Sequence, residues 1–336
     1  METENILEID NLAFSFRTYG GVVKAVRGVS FQLKPGEILG IVGESGCGKS
    51  VTAQCIMKLN PEPPGFFESG SILYKGKDIV KMKHKELMAV RSKEIGFISQ
   101  DPMTSLNPTM KVGHQITEVF VGVQGVGGEE AKRRAIETMK QVGISDAKRR
   151  FKQYPHELSG GMRQRIMIAT ALVAKPSIII ADEPTTSLDV TIEAQIIDLI
   201  LKLREEIGCA IILITHDLGV IAKACDRVQV MYGGQIMENA DVNEIFYHPR
   251  HPYTKGLLHS IPRIDMKRDE VLDPIDGTPP DLFAPPQGCP FAARCDSAMK
   301  ICQTMPAKDY KINDHHYSRC WLEHAYAKEA FGEVQG

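Results

Sequence analysis

A glycine-rich segment lies between an apolar stretch and a helix pattern. Residues 36–42 predict a buried strand, and the chain then continues as Gly43-Glu44-Ser45-Gly46-Cys47-Gly48-Lys49-Ser50. A helix is predicted from about Lys49 to Leu59, where Asn60-Pro61 ends it. The pattern G-x-x-x-x-G-K-[ST] between a strand and a helix is the phosphate-binding loop of α/β proteins.

The residue types of this loop are those that bind a nucleoside triphosphate. Its glycines let backbone N–H groups turn inward around phosphate oxygens, and the N-terminus of the following helix adds a favourable dipole. Lys49 is predicted to reach the β- and γ-phosphates, and the Ser50 hydroxyl to bind Mg²⁺. We therefore predict that a nucleotide contacts the loop residues from Gly43 to Ser50 and the next residue, Val51.

Two adjacent acids follow a second buried strand. Residues 178–181 are apolar, and Asp182 and Glu183 come directly after them. A carboxylate at the carboxyl end of a core strand can bind Mg²⁺, the role predicted for Asp182. Glu183 would then orient and polarise the attacking water.

The remaining patterns indicate an α/β core with additions. Alternating apolar residues over about 5–36 predict antiparallel strands with a loop near Tyr19, and residues from about 104 to 175 predict a helical insertion. Strand and helix then alternate to about 215. Beyond 240 the periodicity weakens and prolines gather, so we predict a main domain over 1–240 and a smaller, irregular C-terminal domain over 241–336.

Composition excludes some functions. The net charge of −2 gives no reason to expect nucleic-acid binding through a large basic surface. No apolar run approaches the roughly 20 residues needed to span a bilayer, and the acidic N-terminus lacks the layout of a secretory signal. We expect a cytoplasmic chain whose membrane role, if any, depends on partner subunits.

Four further motifs indicate a particular family of nucleotide-binding proteins. The segment Leu158-Ser159-Gly160-Gly161-Met162-Arg163-Gln164 precedes a helix pattern and resembles the signature motif of ABC ATPases. Gln100 resembles the Q-loop glutamine of that family, which contacts Mg²⁺ or water. Ser187-Leu188-Asp189 resembles the D-loop, and His216 the switch histidine that contacts the γ-phosphate. The motifs stand in the order that the family requires.

The resemblance implies a fold and a mechanism. The fold is a P-loop NTPase of the ABC type, with a RecA-like core, an antiparallel β subdomain and a helical insertion. Two such domains sandwich two ATP molecules, and Ser159, Gly160 and Gly161 bind the γ-phosphate held by the opposite subunit. An aromatic ring upstream of the phosphate loop stacks on adenine; Tyr19 is favoured by its spacing, and Phe16 is the alternative.

Three segments resemble one branch of the family, the importers of peptides and nickel. They are Ser99–Pro108, His251–Leu258 and the proline-rich stretch that ends in Gly288–Cys295. The similarity is greatest to the D-type ATPase of dipeptide and oligopeptide permeases and covers about residues 5–322. It implies two membrane permease subunits, a second ATPase (a paralogous F-type subunit or a second copy), an extracytoplasmic binding protein and a place at the cytoplasmic face of the membrane. A nickel importer remains the alternative.

Four cysteines crowd the C-terminal region with the spacing C-x₅-C-x₆-C-x₁₇-C: Cys289, Cys295, Cys302 and Cys320. Disulfides are disfavoured in the cytosol, so a metal site is the leading interpretation. The spacing matches neither zinc ribbons nor ferredoxins. The family resemblance favours a [4Fe–4S] cluster, with structural Zn²⁺ or free thiols as alternatives. His315 and His316 nearby are interpreted as surface loop residues.

Two other classes of function fit the sequence less well. A soluble ABC ATPase acting on DNA or ribosomes would carry a long coiled coil or two complete cassettes. Only residues 101–157 separate Gln100 from the signature, which is too short for a long coiled coil, and the motif set occurs once. A redox enzyme with vestigial nucleotide binding is disfavoured because every ATPase motif is intact. The sequence therefore favours a transporter ATPase.

Overall fold

The computed structural model describes residues 5–186, 188–260 and 274–331. These residues form two compact units that interleave along the chain. The first comprises Leu33–Ile38 and Lys81–Ile214 together with Asn5. The second comprises Ile6–Gln32, Leu39–Val80 and the chain from Thr215 onward. Among the described residues, no helix combines the length and the apolar character needed to cross a bilayer.

The regular elements are named in chain order. The strands are β1 (Leu7–Thr18), β2 (Gly21–Leu33), β3 (Ile38–Val42), β4 (Gly65–Tyr74), β5 (Lys77–Asp78), β6 (Ile95–Ile98), β7 (Ile178–Asp182), β8 (Ala210–Ile214), β9 (Arg227–Tyr232), β10 (Gln235–Asp241), β11 (Tyr310–Asn313) and β12 (His316–Ser318). The α-helices are α1 (Lys49–Ile56), α2 (His84–Lys93), α3 (Pro102–Ser105), α4 (Val112–Gln124), α5 (Gly128–Gln141), α6 (Ala147–Arg150), α7 (Gly160–Leu172), α8 (Val190–Ile207), α9 (Leu218–Ala224), α10 (Val242–Tyr247), α11 (Pro252–His259), α12 (Lys300–Thr304) and α13 (Ala325–Phe331). Single 3₁₀ turns lie at Ile79–Lys81, Pro155–Glu157, Ala292–Arg294 and Trp321–Glu323.

The first unit is built on parallel strands. Strand β7 pairs with β6 on one side and with β8 on the other, and every residue of β7 and β8 is buried. Continuous apolar runs are typical of such strands, because helices cover both faces of a parallel sheet. Between β6 and β7 the chain is helical from α3 to α7, which confirms the predicted helical insertion.

The second unit contains the antiparallel sheet predicted from the N-terminal alternation. Its strands lie in the order β2-β1-β4-β5, and β1 pairs antiparallel with β4 from Leu7 opposite Tyr74 to Phe16 opposite Gly65. In the same unit β3 pairs in parallel with β9, and β9 continues antiparallel into β10. The carboxyl end of β3 leads directly into the glycine-rich loop.

The chain beyond residue 240 extends the sheet of the second unit. Strand β12 pairs antiparallel with β10, and β11 pairs with β12. The predicted domain boundary after 240 falls where β10 ends and α10 begins, and it stays a prediction.

One expectation for this region was wrong. His316 is not a surface loop residue: it starts β12 and is fully buried, while its neighbour His315 is exposed. Two carboxylates explain how a histidine is accommodated there. Nε2 of His316 lies 2.7 Å from Glu238, and Nδ1 lies 3.1 Å from Glu244.

Candidate functional site

The phosphate loop runs from β3 into α1, as its pattern predicts. Gly43 and Gly48 have φ angles of 151° and 101°, a region that residues with a Cβ rarely adopt. A Cβ at Gly43 would lie 2.1 Å from the carbonyl oxygen of Met231, and one at Gly48 would lie 2.4 Å from that of Ala25. Both positions therefore require glycine for two independent reasons, conformation and space.

Lys49 and Ser50 occupy the first turn of α1. The Lys49 side chain is buried, and its Nζ donates to the carbonyl oxygens of Gly43 at 2.7 Å and of Glu44 at 3.0 Å. These bonds hold the ammonium group over the loop, and the helix N-terminus adds partial positive charge there. Ser45 and Gly46 are exposed at the tip of the loop, whereas Cys47 is buried. The loop thus concentrates donors and positive charge, as an anion site requires.

Two residues of the C-terminal region contact the phosphate loop, and the sequence did not indicate either contact. The Glu44 N–H donates to the hydroxyl of Tyr253 at 2.9 Å, and the Glu44 carboxylate pairs with Arg294 at 2.7 Å. Both partners lie more than 200 positions away in the sequence, at separations of 209 and 250. No local pattern could have indicated these contacts.

The two candidates for adenine stacking differ in exposure. Phe16 is half-buried and packs edge-to-face on Phe14, with ring centroids 5.2 Å apart. Tyr19 lies at the turn between β1 and β2, and its side chain is fully exposed. An exposed ring can stack on a base without giving up packing in the core. The choice of Tyr19 stays a prediction that this difference favours.

The acidic pair lies in the first unit. Asp182 is the last residue of β7 and is buried. Glu183 has a φ of 45°, which is strained for a residue with a side chain, and its N–H donates to the carbonyl of Ile214. Its Oε2 accepts hydrogen bonds from Gln100 Nε2 at 2.9 Å and from Thr186 Oγ1 at 2.8 Å. The structure therefore brings together Gln100 and Glu183, two of the three residues predicted to be catalytic.

The third of these residues, His216, belongs to the second unit. It follows Thr215, whose N–H donates to the carbonyl of Ile41 at 3.4 Å, and its side chain is exposed. Ile41 is in β3, two residues before the phosphate loop begins. Within the second unit, His216 is therefore anchored to the strand that leads into the loop.

The signature segment forms the N-terminus of α7. Ser159 is the N-cap, and its hydroxyl accepts a hydrogen bond from the N–H of Met162. A Cβ on Gly161 would lie 2.9 Å from Ile192 of α8, so glycine allows the two helices to approach closely. Gly160 begins the helix.

The D-loop residue Asp189 also caps a helix. Its carboxylate accepts from the N–H of Ile192 at 3.0 Å at the start of α8. The Ser187 of the predicted D-loop lies outside the described residues.

The four C-terminal cysteines lie around one small cavity, which His251, Phe291 and Trp321 also line. None of the four forms a disulfide. Burial, with a smaller contribution from the charges of neighbouring thiolates, raises the pKa of Cys289 to about 11 and of Cys320 to about 12. Cys320 is therefore within electrostatic reach of the other three cysteines. In the described part of the chain, however, no three metal-binding side chains converge tightly enough to hold a single metal ion.

An unpaired polar atom borders the same cavity. His251 is fully buried; its Nδ1 accepts from the N–H of Tyr253, while its Nε2 has no hydrogen-bond partner among the described residues. Burial lowers the pKa of His251 to about 4, so the ring is neutral near pH 7 and Nε2 carries its proton. A buried N–H donor left unpaired is uncommon in proteins and calls for an acceptor.

Comparison with known proteins agrees with this geometry. The family model described as "ABC transporter" matches residues 26–186, and "Oligopeptide/dipeptide transporter, C-terminal region" matches residues 237–302. Two relatives come from Bacillus subtilis (strain 168). The oligopeptide transport ATP-binding protein OppD is 57% identical over 95% of this chain and 89% of its own length; the dipeptide transport ATP-binding protein DppD is 51% identical over 97% of each.

The fold agrees with solved structures as well. A dimeric ATP-binding cassette in a post-hydrolysis state with ADP and Pi is similar with a TM-score of 0.64 and 28% identity, over 70% of this chain and 98% of that one. A phosphate loop, a signature helix and an acidic strand end in this fold define an ATP-binding cassette. This chain belongs to the ABC transporter family, in the branch that carries the oligopeptide/dipeptide transporter C-terminal region.

Proposed function

We propose that this chain binds and hydrolyses ATP to drive the uptake of dipeptides or oligopeptides through a membrane transporter. The observation that carries the proposal is the phosphate loop, where Gly43 and Gly48 admit no Cβ and Lys49 is held over the loop. The relatives named for oligopeptide and dipeptide transport, similar over nearly the whole chain, support the choice of cargo.

Each site residue has a role in this proposal. Backbone N–H groups from Ser45 to Val51 and the Lys49 ammonium bind the phosphates, and Tyr19 stacks on adenine. Ser50, Gln100 and Asp182 offer oxygen atoms, the ligand type that Mg²⁺ prefers. Glu183 accepts a proton from the attacking water, Gln100 orients Glu183, and His216 contacts the γ-phosphate.

The proposal also assigns partners. Ser159, Gly160 and Gly161 at the N-terminus of a 13-residue helix form an anion site for the nucleotide of an opposing ATPase subunit, and Asp189 lies at that interface. The opposing subunit is a paralogous F-type ATPase or a second copy. Two membrane permease subunits hold the pair at the cytoplasmic face of the membrane, and an extracytoplasmic binding protein delivers the peptide.

Two substitutions test the ATPase half of the proposal. Glu183→Gln keeps the shape of the side chain but removes the base, so ATP turnover should fall by about 10²–10⁴-fold while Mg-ATP binding persists. Lys49→Ala should instead weaken the binding of Mg-ATP itself, measured by calorimetry. Hydrolysis near the parent rate in Glu183→Gln would refute its role as the base.

Cargo is tested in cells that depend on this chain. Replacing the gene by its Glu183→Gln version should stop the uptake of labelled dipeptides or oligopeptides and leave nickel uptake unchanged. The matched control is Glu129→Gln, an exposed residue at the start of α5. Loss of nickel uptake with intact peptide uptake would replace the proposed cargo by nickel.

We also propose that Cys289, Cys295, Cys302 and Cys320 hold a [4Fe–4S] cluster. Four cysteine thiolates are the ligand set of such a cluster, and these four cysteines line one shared cavity. The unpaired Nε2–H of His251 would offer a hydrogen bond to sulfur there. The bound cluster would cross-link three short segments that have little core of their own.

The cluster is tested by anaerobic purification with iron, sulfide and zinc assays. Roughly four irons per chain and broad absorption near ~400 nm are expected of this ligation, with loss of colour in Cys302→Ser. Cys225→Ser, a buried cysteine outside the cavity, is the control and should keep the colour. A colourless protein with about one zinc per chain would refute the cluster and leave the ATPase role intact.

A further inference from the structure

Two residues of the C-terminal region bind Glu44 of the phosphate loop. Its main-chain N–H donates to the Tyr253 hydroxyl at 2.9 Å, and its carboxylate Oε2 lies 2.7 Å from Nη1 of Arg294. The Arg294 side chain is only 6% exposed and that of Glu44 25%, so salt screens the pair less than it screens a surface ion pair. One residue of the loop is thus fixed through both its backbone and its side chain.

Arg294 is itself held in place by every nitrogen of its guanidinium group. Nη1 also donates to the Tyr232 hydroxyl at 3.1 Å, Nε donates to the carbonyl of Asp276 at 2.8 Å, and Nη2 donates to that of Ile275 at 2.9 Å. A planar guanidinium with this many bonds has little freedom to turn. It therefore presents its charge to Glu44 in a fixed position.

An aromatic cluster supports both contacts. The rings of Tyr232, Tyr253 and Phe291 are almost completely buried, with centroids 4.5 Å apart for the two tyrosines and 5.3 Å from each tyrosine to Phe291. The Arg294 guanidinium lies 5.7 Å from the ring centroid of Tyr232 and 6.0 Å from that of Phe291. These distances are within the range of aromatic packing and cation–π attraction.

The segments that bind Glu44 also line the cavity surrounded by the four cysteines. Arg294 immediately precedes Cys295, and Phe291 lies between Cys289 and Cys295 and borders the cavity. Tyr253 lies two residues after His251, which also borders the cavity. His251 caps α11, because its Nδ1 accepts a hydrogen bond from the N–H of Tyr253. A change in the arrangement of the cysteine segment must therefore act on both contacts to the loop.

The charge of Glu44 means that these contacts affect the binding of nucleotide. A carboxylate in a loop that receives a polyphosphate repels it, because both groups carry negative charge and lie at short range. Arg294 neutralises that carboxylate. Tyr253 meanwhile occupies the N–H of Glu44 and so fixes the backbone at the start of the loop.

We infer that Arg294 and Tyr253 are positioning residues of the nucleotide site, through which the C-terminal cysteine segment sets the affinity of the phosphate loop for nucleotide. This inference rests on the proposed nucleotide binding, but not on which metal the cysteines bind. It adds to the site two residues that touch no nucleotide themselves and act through Glu44.

The test is calorimetric titration of the purified full chain with Mg-ADP, which excludes turnover. Arg294→Met leaves the Glu44 carboxylate uncompensated and should raise the Kd roughly tenfold, an effect that grows at low salt. Tyr253→Phe removes one hydroxyl and should raise the Kd by a few-fold. The matched control is Arg319→Met, which breaks an arginine–carboxylate pair with Asp309 in the same region and should leave the Kd unchanged.

The double variant Glu44→Gln with Arg294→Met separates positioning from simple loss of structure. Removing the uncompensated carboxylate should restore the Kd to within about threefold of the parent, a non-additive result that general damage to the C-terminal region cannot give. Parent-like affinity in both Arg294→Met and Tyr253→Phe, or no rescue by Glu44→Gln, would overturn the inference. If the parent itself fails to bind Mg-ADP, the proposed function fails first.

Discussion

The phosphate loop and the cysteine segment belong to the same unit and are stabilised in different ways. The loop depends on its main chain: glycines at 43 and 48 turn where no Cβ fits, and a helix N-terminus follows. The cysteine segment has short elements only, and its order comes from buried side chains such as Phe291 and Arg294. The first region is specified by local backbone geometry, and the second by contacts between distant parts of the chain.

This difference predicts how each region tolerates change. A main-chain site fails when one added atom collides with a carbonyl, because backbone cannot move aside as a side chain can. A side-chain cluster instead loses stability in steps that reflect the contacts removed. The two regions meet at Glu44, whose backbone belongs to the first and whose carboxylate is bound by the second.

The largest effect on nucleotide binding is expected from Gly48→Ala. The new Cβ would lie 2.4 Å from the Ala25 carbonyl at a φ of 101°, so nucleotide binding should fall by more than about 100-fold, equivalent to roughly 2.7 kcal/mol. Gly46→Ala is the matched control, since its φ is 77° but nothing lies within 4 Å of the added atom. Calorimetry should show a much smaller loss for Gly46→Ala; equal losses would mean that space is not what the loop requires.

Phe291→Ala tests the side-chain region. Removing a ring that is 3% exposed should lower the free energy of unfolding by about 3–5 kcal/mol, measured by denaturant titration. Phe283, in the same region, is 48% exposed, and Phe283→Ala should cost about 1 kcal/mol or less. Similar losses for the two variants would show that buried packing does not order the cysteine segment.

His316 should make the stability of this region depend on pH. Burial opposes its protonation, but hydrogen bonds to Glu238 and Glu244 outweigh burial and raise the pKa of His316 above 6.5. Burial likewise opposes ionisation of Glu238, yet hydrogen bonds from His316 and from the N–H groups of Arg250 and His251 lower its pKa below 4.5. The pair therefore stabilises the fold most between these limits.

The sign of each change follows from the direction of each shift. The contribution of protonated His316 is complete below about pH 6.5 and is lost as the pH rises through its raised pKa; that of Glu238 is lost as the pH falls through its lowered pKa. His316→Gln should cost about 2 kcal/mol near pH 6 and remove the alkaline loss. His315→Gln, at the exposed neighbour, should change neither; an unaltered alkaline loss in His316→Gln would assign it to another group.

The smallest effect is expected from Arg319→Met. Arg319 makes two hydrogen bonds to the Asp309 carboxylate, at 2.7 and 2.8 Å, but Asp309 is 55% exposed. Exposed ion pairs contribute about 0.2–1 kcal/mol, so the melting temperature should barely move. A loss as large as that of Phe291→Ala would mean that surface charge, rather than packing, orders the region.

The same contrast explains what could be predicted from the sequence. The phosphate loop, the buried strand that ends at Asp182 and the helical insertion follow from local rules, namely glycine spacing and apolar periodicity, and these features were predicted. The contacts of Glu44 with Arg294 and Tyr253 join residues 250 and 209 positions apart and leave no local pattern. His316 was misinterpreted for the same reason, since the carboxylates that make its burial possible are 78 and 72 positions away.

The backbone of Glu183 has a consequence for evolution. At φ 45° a glycine would fit this position with less strain, and relief of such strain is worth about 1–3 kcal/mol. Selection for stability alone would therefore replace Glu183 by glycine. Its persistence would mark a trade-off in which the chain gives up stability to keep a reactive group, and a Glu183→Gly variant that melts higher yet hydrolyses no ATP would reveal that conflict directly.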